Sequence, residues 1–271
     1  MSPPHGFKNH TLYDIQTRPI VNAVQPIFLL LALLAEVLGT VGGFGSSVFF
    51  VPIANFYFDF YSVLGLTALF HLSSNLSKLM LFTKGIDQKM IVRLGIPAVL
   101  FVVLGAWASR YIDSRILHGA LGVLLVGFSL VFLIKKNIVL KPSTRNSLLG
   151  GSLSGFSAGL LGTGGAVRGL AMAAFNLEKS VFVATSALID LMIDLSRFFV
   201  YWNNGYLHRH DLGNVPFLVV IGLFGTWLGK KILAHIPQET FRKISLLLIL
   251  LVGLITLGSW VFAWVPSSQE P

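Results

Sequence analysis

Two long apolar stretches of this chain are broken by glycine at the same place, and the breaks lie 120 residues apart. The first reads Gly39-Thr40-Val41-Gly42-Gly43-Phe44-Gly45-Ser46-Ser47 and the second Gly159-Leu160-Leu161-Gly162-Thr163-Gly164-Gly165. One constant shift puts Gly39, Gly42 and Gly45 on Gly159, Gly162 and Gly165, and also Gly85 on Gly205, Gly105 on Gly225 and Trp107 on Trp227. The chain reads as an internal duplication. Apolar segments interrupted by glycine at matching places in two membrane halves point to a binding site where helices unwind.

The bilayer follows from composition. With 54% hydrophobic and 11% charged residues and a mean hydropathy of +0.77, there is too little polar sequence to cover a soluble fold. Four apolar segments fall in each half: 26–58 (broken), 61–83, 91–110 and 116–134, then 147–177 (broken), 180–203, 213–233 and 241–264. The expected organisation is a polar N-terminal segment 1–25, a first membrane repeat 26–134, a basic linker 135–146, a second repeat 147–264 and a tail 265–271. The N-terminal segment lacks the short apolar core of a cleaved signal peptide. The net charge of +9 is scattered among loops, so it reads as a topology signal and not as a nucleic-acid face.

The fold class expected is all-α and polytopic, with two internal repeats of four apolar segments. As one helix, 26–58 would run about 48 Å, well beyond a ~30 Å hydrocarbon core. If each broken segment is a re-entrant hairpin, each half has three spans and the repeats are inverted. That arrangement places twelve loop Lys and Arg in the cytoplasm and five outside. Eight full spans with parallel repeats give ten and seven. The positive-inside rule prefers the inverted arrangement, and the eight-span alternative stays open.

Ionisable residues inside hydrocarbon are costly and need a partner or a purpose. Asp190, Asp194, Arg197 and Tyr201 follow at spacings of four, three and four, which places them on one helical stripe. His71, Ser74, Asn75 and Lys78 form a comparable stripe in segment 61–83, and both stripes are expected to face the protein interior. Arg197 can attract an anion, with Asp190 or Asp194 carrying a coupling proton, or Asp194 and Arg197 can form a structural ion pair. Asp190 has no cation one turn away in sequence, which favours it as the proton carrier. Glu36, in the first half-helix, is either a second proton carrier or a hydrogen-bond partner of the exposed backbone at the break.

After each break a new half-helix begins, at Ser46-Ser47 and at Gly165-Ala166. Its free amides and partial positive charge suit an oxyanion. Gly45, Ser46, Ser47, Gly164 and Gly165 are therefore candidate substrate-binding residues, with close helix packing as the alternative use of the glycines. Arg168, one turn into the second half-helix, is either an anion ligand or a snorkelling side chain. His208, His210 and Asp211 read as a solvated turn. No metal site, cofactor site or phosphate-binding loop is expected, the absence of cysteine removes thiolate chemistry, and no enzymatic activity is expected.

The duplicated breaks, the Gly85-Ile86-Asp87 and Gly205-Tyr206-Leu207 turns, and Leu104-Gly105-Ala106-Trp107 matched by Phe224-Gly225-Thr226-Trp227 resemble the TauE/SafE family. The resemblance covers residues 26–264. The family's pattern is Gly-x-Gly-Gly-Gly followed by Pro. The first repeat keeps Gly43, Gly45 and Pro52 but has Ser46-Ser47 in the glycine run. The second keeps Gly162, Gly164 and Gly165 but has Met172 where Pro52 aligns. Arg168 and the Asp190, Asp194, Arg197 stripe lie outside that pattern. The resemblance implies a multi-pass protein of the bacterial cytoplasmic membrane that moves a small anion such as sulfite or an organosulfonate. The partners expected are that anion and the lipid bilayer, with homo-oligomer formation left open. A channel, or a membrane-embedded enzyme or assembly factor for a sulfur compound, are the other readings.

Overall fold

Glycine ends the helix that precedes each of the two breaks. The computed structural model describes residues 26–42, 45–134, 143–173, 175, 177–209, 211–235 and 238–262. The expected polar N-terminus, most of the linker, the tail, Gly43 and His210 lie outside the described residues. The described elements are helical: α1 (Pro26–Gly42), α2 (Ser47–Ala54), α3 (Phe60–Leu81), α4 (Gln88–Met90), α5 (Ile96–Ser109), α6 (Ser114–Ile134), α7 (Thr144–Leu161), α8 (Gly165–Ala173), α9 (Lys179–Asn203), α10 (Val215–Leu233) and α11 (Gln238–Phe262). A π-helical turn, Ile91–Gly95, joins α4 to α5 just before Pro97, which has no amide to continue the regular ladder. Asp59 and Ser143 cap α3 and α7 by accepting from Ser62 N and Asn146 N.

Three runs among the described residues, Gln88–Ser109, Ser114–Ile134 and Asp211–Leu233, are long and apolar enough to cross a bilayer. They present large apolar side chains outward, among them Leu100, Val103, Trp107, Val123, Val220 and Trp227. An apolar exterior of this extent is what lipid requires and water does not tolerate. At 22 and 25 residues, α3 and α9 have the length to cross as well, but they carry the ionisable residues and pack at the centre.

Across each break, the helix that follows lies back along the helix that precedes it. Phe28, in the first turn of α1, packs against Phe50, Tyr57 and Phe58 with ring centroids 5.9, 5.2 and 5.1 Å away. So α2 and the residues after it lie beside the start of α1. In the second half, Gly150 of α7 meets Ala171 of α8, and Ser154 Oγ donates to the Gly164 carbonyl at 2.8 Å. Gly45 sits at φ +81° and Gly162 at φ +77°, left-handed conformations that glycine adopts freely.

The halves exchange partners. Helix α7 lies along α5, with Gly151, Gly155 and Gly159 set against the backbone of Leu94, Ala98 and Val102. A Cβ at any of the three would run into a carbonyl, so this small-residue stripe sets how closely the helices approach. Correspondingly, α1 lies along α10, with Gly225 against Glu36 and Gly229 against Thr40. Between the corresponding helices α3 and α9 the packing is antiparallel: Gly65 meets Leu207 at one end and Lys84 meets Glu178 at the other. The pair α6 and α11 is antiparallel too, with Gly122 against Leu257 and Gly253 against Leu125.

Candidate functional site

Three helices and the first break converge on a buried carboxylate. Glu36 is fully buried in α1. Its Oε1 accepts from Thr40 Oγ1 at 2.9 Å, Ser74 Oγ at 2.6 Å and Thr226 Oγ1 at 3.0 Å, and lies 3.0 Å from Lys78 Nζ. Its Oε2 accepts from Ser46 Oγ at 2.6 Å. The partners of Glu36 are thus side chains from α1, the first break, α3 and α10, and not the backbone at the break. Burying a carboxylate in hydrocarbon is possible because it is paired and hydrogen-bonded several times over.

Arg168 corrects two expectations. It is buried at 1% exposure and does not snorkel; its guanidinium forks onto both carboxylate oxygens of Asp190, and its Nε donates to Ser186 Oγ at 3.1 Å. Asp190 therefore has a cation after all. The pairing was invisible to helical spacing because the two residues sit on α8 and α9, and only the tertiary fold brings them together. Arg168 Nη2 also approaches Gly45, where a Cβ would lie 3.7 Å away, so the guanidinium of the second half reaches the break of the first. Thr163 Oγ1 donates to Ser47 Oγ at 3.2 Å, which joins the two breaks directly.

The rest of the α9 stripe anchors the second break. Asp194 Oδ1 lies 2.6 Å from Arg197 Nη2, and Asp194 Oδ2 accepts from Asn75 Nδ2 at 2.8 Å. Arg197 Nη1 donates to the carbonyls of Ala158 and Gly162 at 3.0 and 2.9 Å, and Tyr201 Oη donates to the Gly159 carbonyl at 2.6 Å. These carbonyls lie at the end of α7, where Ala158 O also accepts from Gly162 N, and a cation there suits the helix dipole. Gly164 is packed onto the Ser154 carbonyl, leaving it no room for a side chain, while Gly165 opens α8. His71 bridges the two networks: Nε2 lies 3.0 Å from Ser46 Oγ and Nδ1 lies 3.8 Å from Asp194 Oδ2. Both sequence stripes face the interior, as their spacing led us to expect, and all of their residues are buried except the half-buried Asp190 at the pocket.

A pocket of about 20 Å³ opens beside this network, lined by Gly39, Thr40, Gly45, Lys78, Ser186 and Asp190. It is large enough for one water molecule and too small for a sulfur oxyanion. A shift of 120 carries Thr40, Lys78, Ser186 and Asp190 onto Leu160, Phe198, Leu66 and Phe70, which pack together in the main apolar core. The polar pocket thus belongs to one side of the duplication only.

Thr226, Ser186 and Thr163 were not singled out from the sequence. For Thr226 a signal existed: it stands where the aligned repeat has Ala106, a hydroxyl at a close helix contact. At the other end of α3, Asp211 is buried and accepts from Ser62 Oγ at 2.8 Å, so the turn expected to be solvated ties α3 to the start of α10. Among the described residues no group of histidines and carboxylates could hold a metal.

An apolar exterior around a buried polar centre of paired charges defines a polytopic membrane protein whose business is inside the helix bundle. Comparison with known proteins identifies the class as membrane transporters. The family model described as sulfite exporter TauE/SafE matches residues 28–256, and the chain belongs to that family. It is also similar to a protein of Methanocaldococcus jannaschii described as a probable membrane transporter, with 24% identity over 256 residues, 86% of this chain and 95% of the relative.

Proposed function

We propose that this transporter carries a small anion, most readily sulfite or an organosulfonate, by alternating access coupled to an ion gradient. The observation that carries the reading is the Arg168–Asp190 pair at the first break: Asp190 lines the pocket beside Gly45, and Arg168 Nη2 reaches toward the same glycine. A planar guanidinium that holds a carboxylate by two parallel bonds presents the same geometry to a sulfonate or sulfite oxygen pair. The incoming anion competes with Asp190 for Arg168, while Gly45 allows close backbone approach, Ser47 offers a hydroxyl, and Ser46 holds Glu36 and His71 in place beside them. Arg197, engaged with Asp194 and the end of α7, holds the site's shape. The closed pocket favours a carrier over an open channel.

The topology we propose is six spans and two re-entrant hairpins, with inverted repeats in the cytoplasmic membrane. Two antiparallel pairs of corresponding helices support it, since an axis along the membrane normal would make such pairs parallel. Side-chain contacts support it independently. Lys84 pairs with Glu178 at 2.6 Å and Lys230 donates to the Leu81 carbonyl at 2.7 Å, which joins three loops that the inverted arrangement places in the cytoplasm together. Eight full spans would put loop 84–93 on the opposite face from the other two.

The test is flux of radiolabelled sulfite into proteoliposomes with and without an imposed pH gradient. Uphill accumulation driven by the gradient is the expected result. Rapid equilibration that ignores the gradient would replace the carrier with a channel, and absence of flux for both sulfite and sulfonates would remove this substrate class.

A further inference from the structure

Hydrogen bonding through His71 leaves one contact that needs a proton the structure's donors do not otherwise supply. Ser46 has a single hydroxyl proton, and Glu36 Oε2, at 2.6 Å, receives it. Glu36 acts as an acceptor throughout, taking Thr40, Ser74 and Thr226 on its other oxygen beside Lys78. The Ser46 oxygen is then free only to accept, so His71 Nε2 carries the proton of the 3.0 Å contact between them. In a neutral imidazole the remaining nitrogen, Nδ1, is a bare lone pair. It faces Asp194 Oδ2 at 3.8 Å, an oxygen already accepting from Asn75. Two lone pairs opposed in a dry interior repel, and a proton between them turns the contact into a charge-assisted one.

We infer that His71 and Asp194 together hold one exchangeable proton, and that this proton is what admits the anion. The second half of the inference rests on the anion-transport reading; the first does not. The charged groups facing His71 are Glu36 of α1 through Ser46, Lys78 of its own helix, Arg168 of α8, and Asp194 and Arg197 of α9. With Asp190 these form three carboxylates and three cations, each carboxylate paired: Glu36 with Lys78, Asp190 with Arg168, Asp194 with Arg197. With neutral His71 the cluster has no net charge, and a bare anion entering it would be an uncompensated charge in low dielectric. One proton on the His71–Asp194 pair gives the cluster a single positive charge, which one monovalent anion balances. The transported unit is one proton with one monovalent anion, and its movement is electroneutral.

Two measurements separate the halves. The first is infrared difference spectroscopy of the full-length protein in nanodiscs, without substrate, titrated through neutral pH. We expect one titrating proton with a carboxyl and an imidazole signature, the carboxyl band lost in Asp194→Asn and the imidazole bands lost in His71→Gln. Each variant that still elutes as a folded species decides alone. Bands unaltered by either substitution overturn the proton site. The second is sulfite and methanesulfonate flux in proteoliposomes. Acceleration by a pH gradient should fall to a ratio of one in His71→Gln, and wild-type flux should not respond to a potassium–valinomycin potential. Wild-type flux that follows the potential overturns the one-to-one stoichiometry. No flux of either anion overturns the transport reading on which the second half depends and leaves the proton site to the infrared result.

Discussion

At the scale of single residues, the site works through geometry that charge alone does not supply. Arg168 holds Asp190 by a two-pronged contact and Ser186 by its third nitrogen. A lysine there keeps the charge but presents it as a point, without the planar fork. Arg168→Lys should therefore lower sulfite flux at least tenfold while leaving the protein folded, measured as initial rates beside a thermal melt. Asp190→Asn should do the opposite to binding: with its counter-ion neutralised, Arg168 holds the anion more tightly, seen as a lower half-saturation concentration with slower turnover. The α9 stripe was legible from spacing because a buried helix face repeats every three or four residues. Its partners were not. Asp190 looked unpaired because its cation stands 22 residues away on a different helix, and Arg197 looked available because the carbonyls it binds carry no signature in sequence.

Among the elements, the glycines divide into those that bend the chain and those that bring helices together. Gly45 and Gly162 do the first, at positive φ. Gly151, Gly155 and Gly159 do the second, lining α7 where it lies on α5. The sequence reading weighed binding against packing for the glycines at the breaks, and the fold uses Gly164 for packing. Gly155→Leu should prevent α7 from seating and lower the melting temperature sharply, since its Cβ would meet the Ala98 carbonyl and the backbone cannot yield cheaply; overpacking of this kind typically costs about 1–3 kcal/mol or more. Gly127→Ala, where an added Cβ meets nothing, should leave the melt unchanged or raise it slightly, as helical alanine is favoured over glycine by about 1 kcal/mol. The helix limits at the breaks were readable because glycine interrupts the apolar runs there. The π-helical turn before Pro97 was not, because one proline does not specify which compromise the ladder makes.

For the whole molecule, the proposed topology has a direct chemical test, made easy because the chain has no cysteine. Lys84→Cys with Glu178→Cys should form a disulfide on mild oxidation, and each alone should react with a membrane-impermeant maleimide only from the cytoplasmic face. Arg115→Cys should react only from outside. Opposite-face labelling of positions 84 and 178 would require eight full spans. The duplication itself was legible as a constant shift. Which helix of one half lies on which helix of the other was not, since that exchange of partners is a property of the assembled bundle.

The one-sided pocket also bears on how well the membrane stays sealed. Where Thr40 and Lys78 of the first repeat meet Ser186 and Asp190 of the second, the equivalent positions on the other side are Leu160, Phe198, Leu66 and Phe70, all part of the main apolar core. A plug of that kind gives a stripped chloride or sodium ion nothing to replace its hydration shell. It therefore acts as electrical insulation. On the carrier reading proposed here, such insulation would let a cell hold many copies of the protein while its ion gradients stay charged.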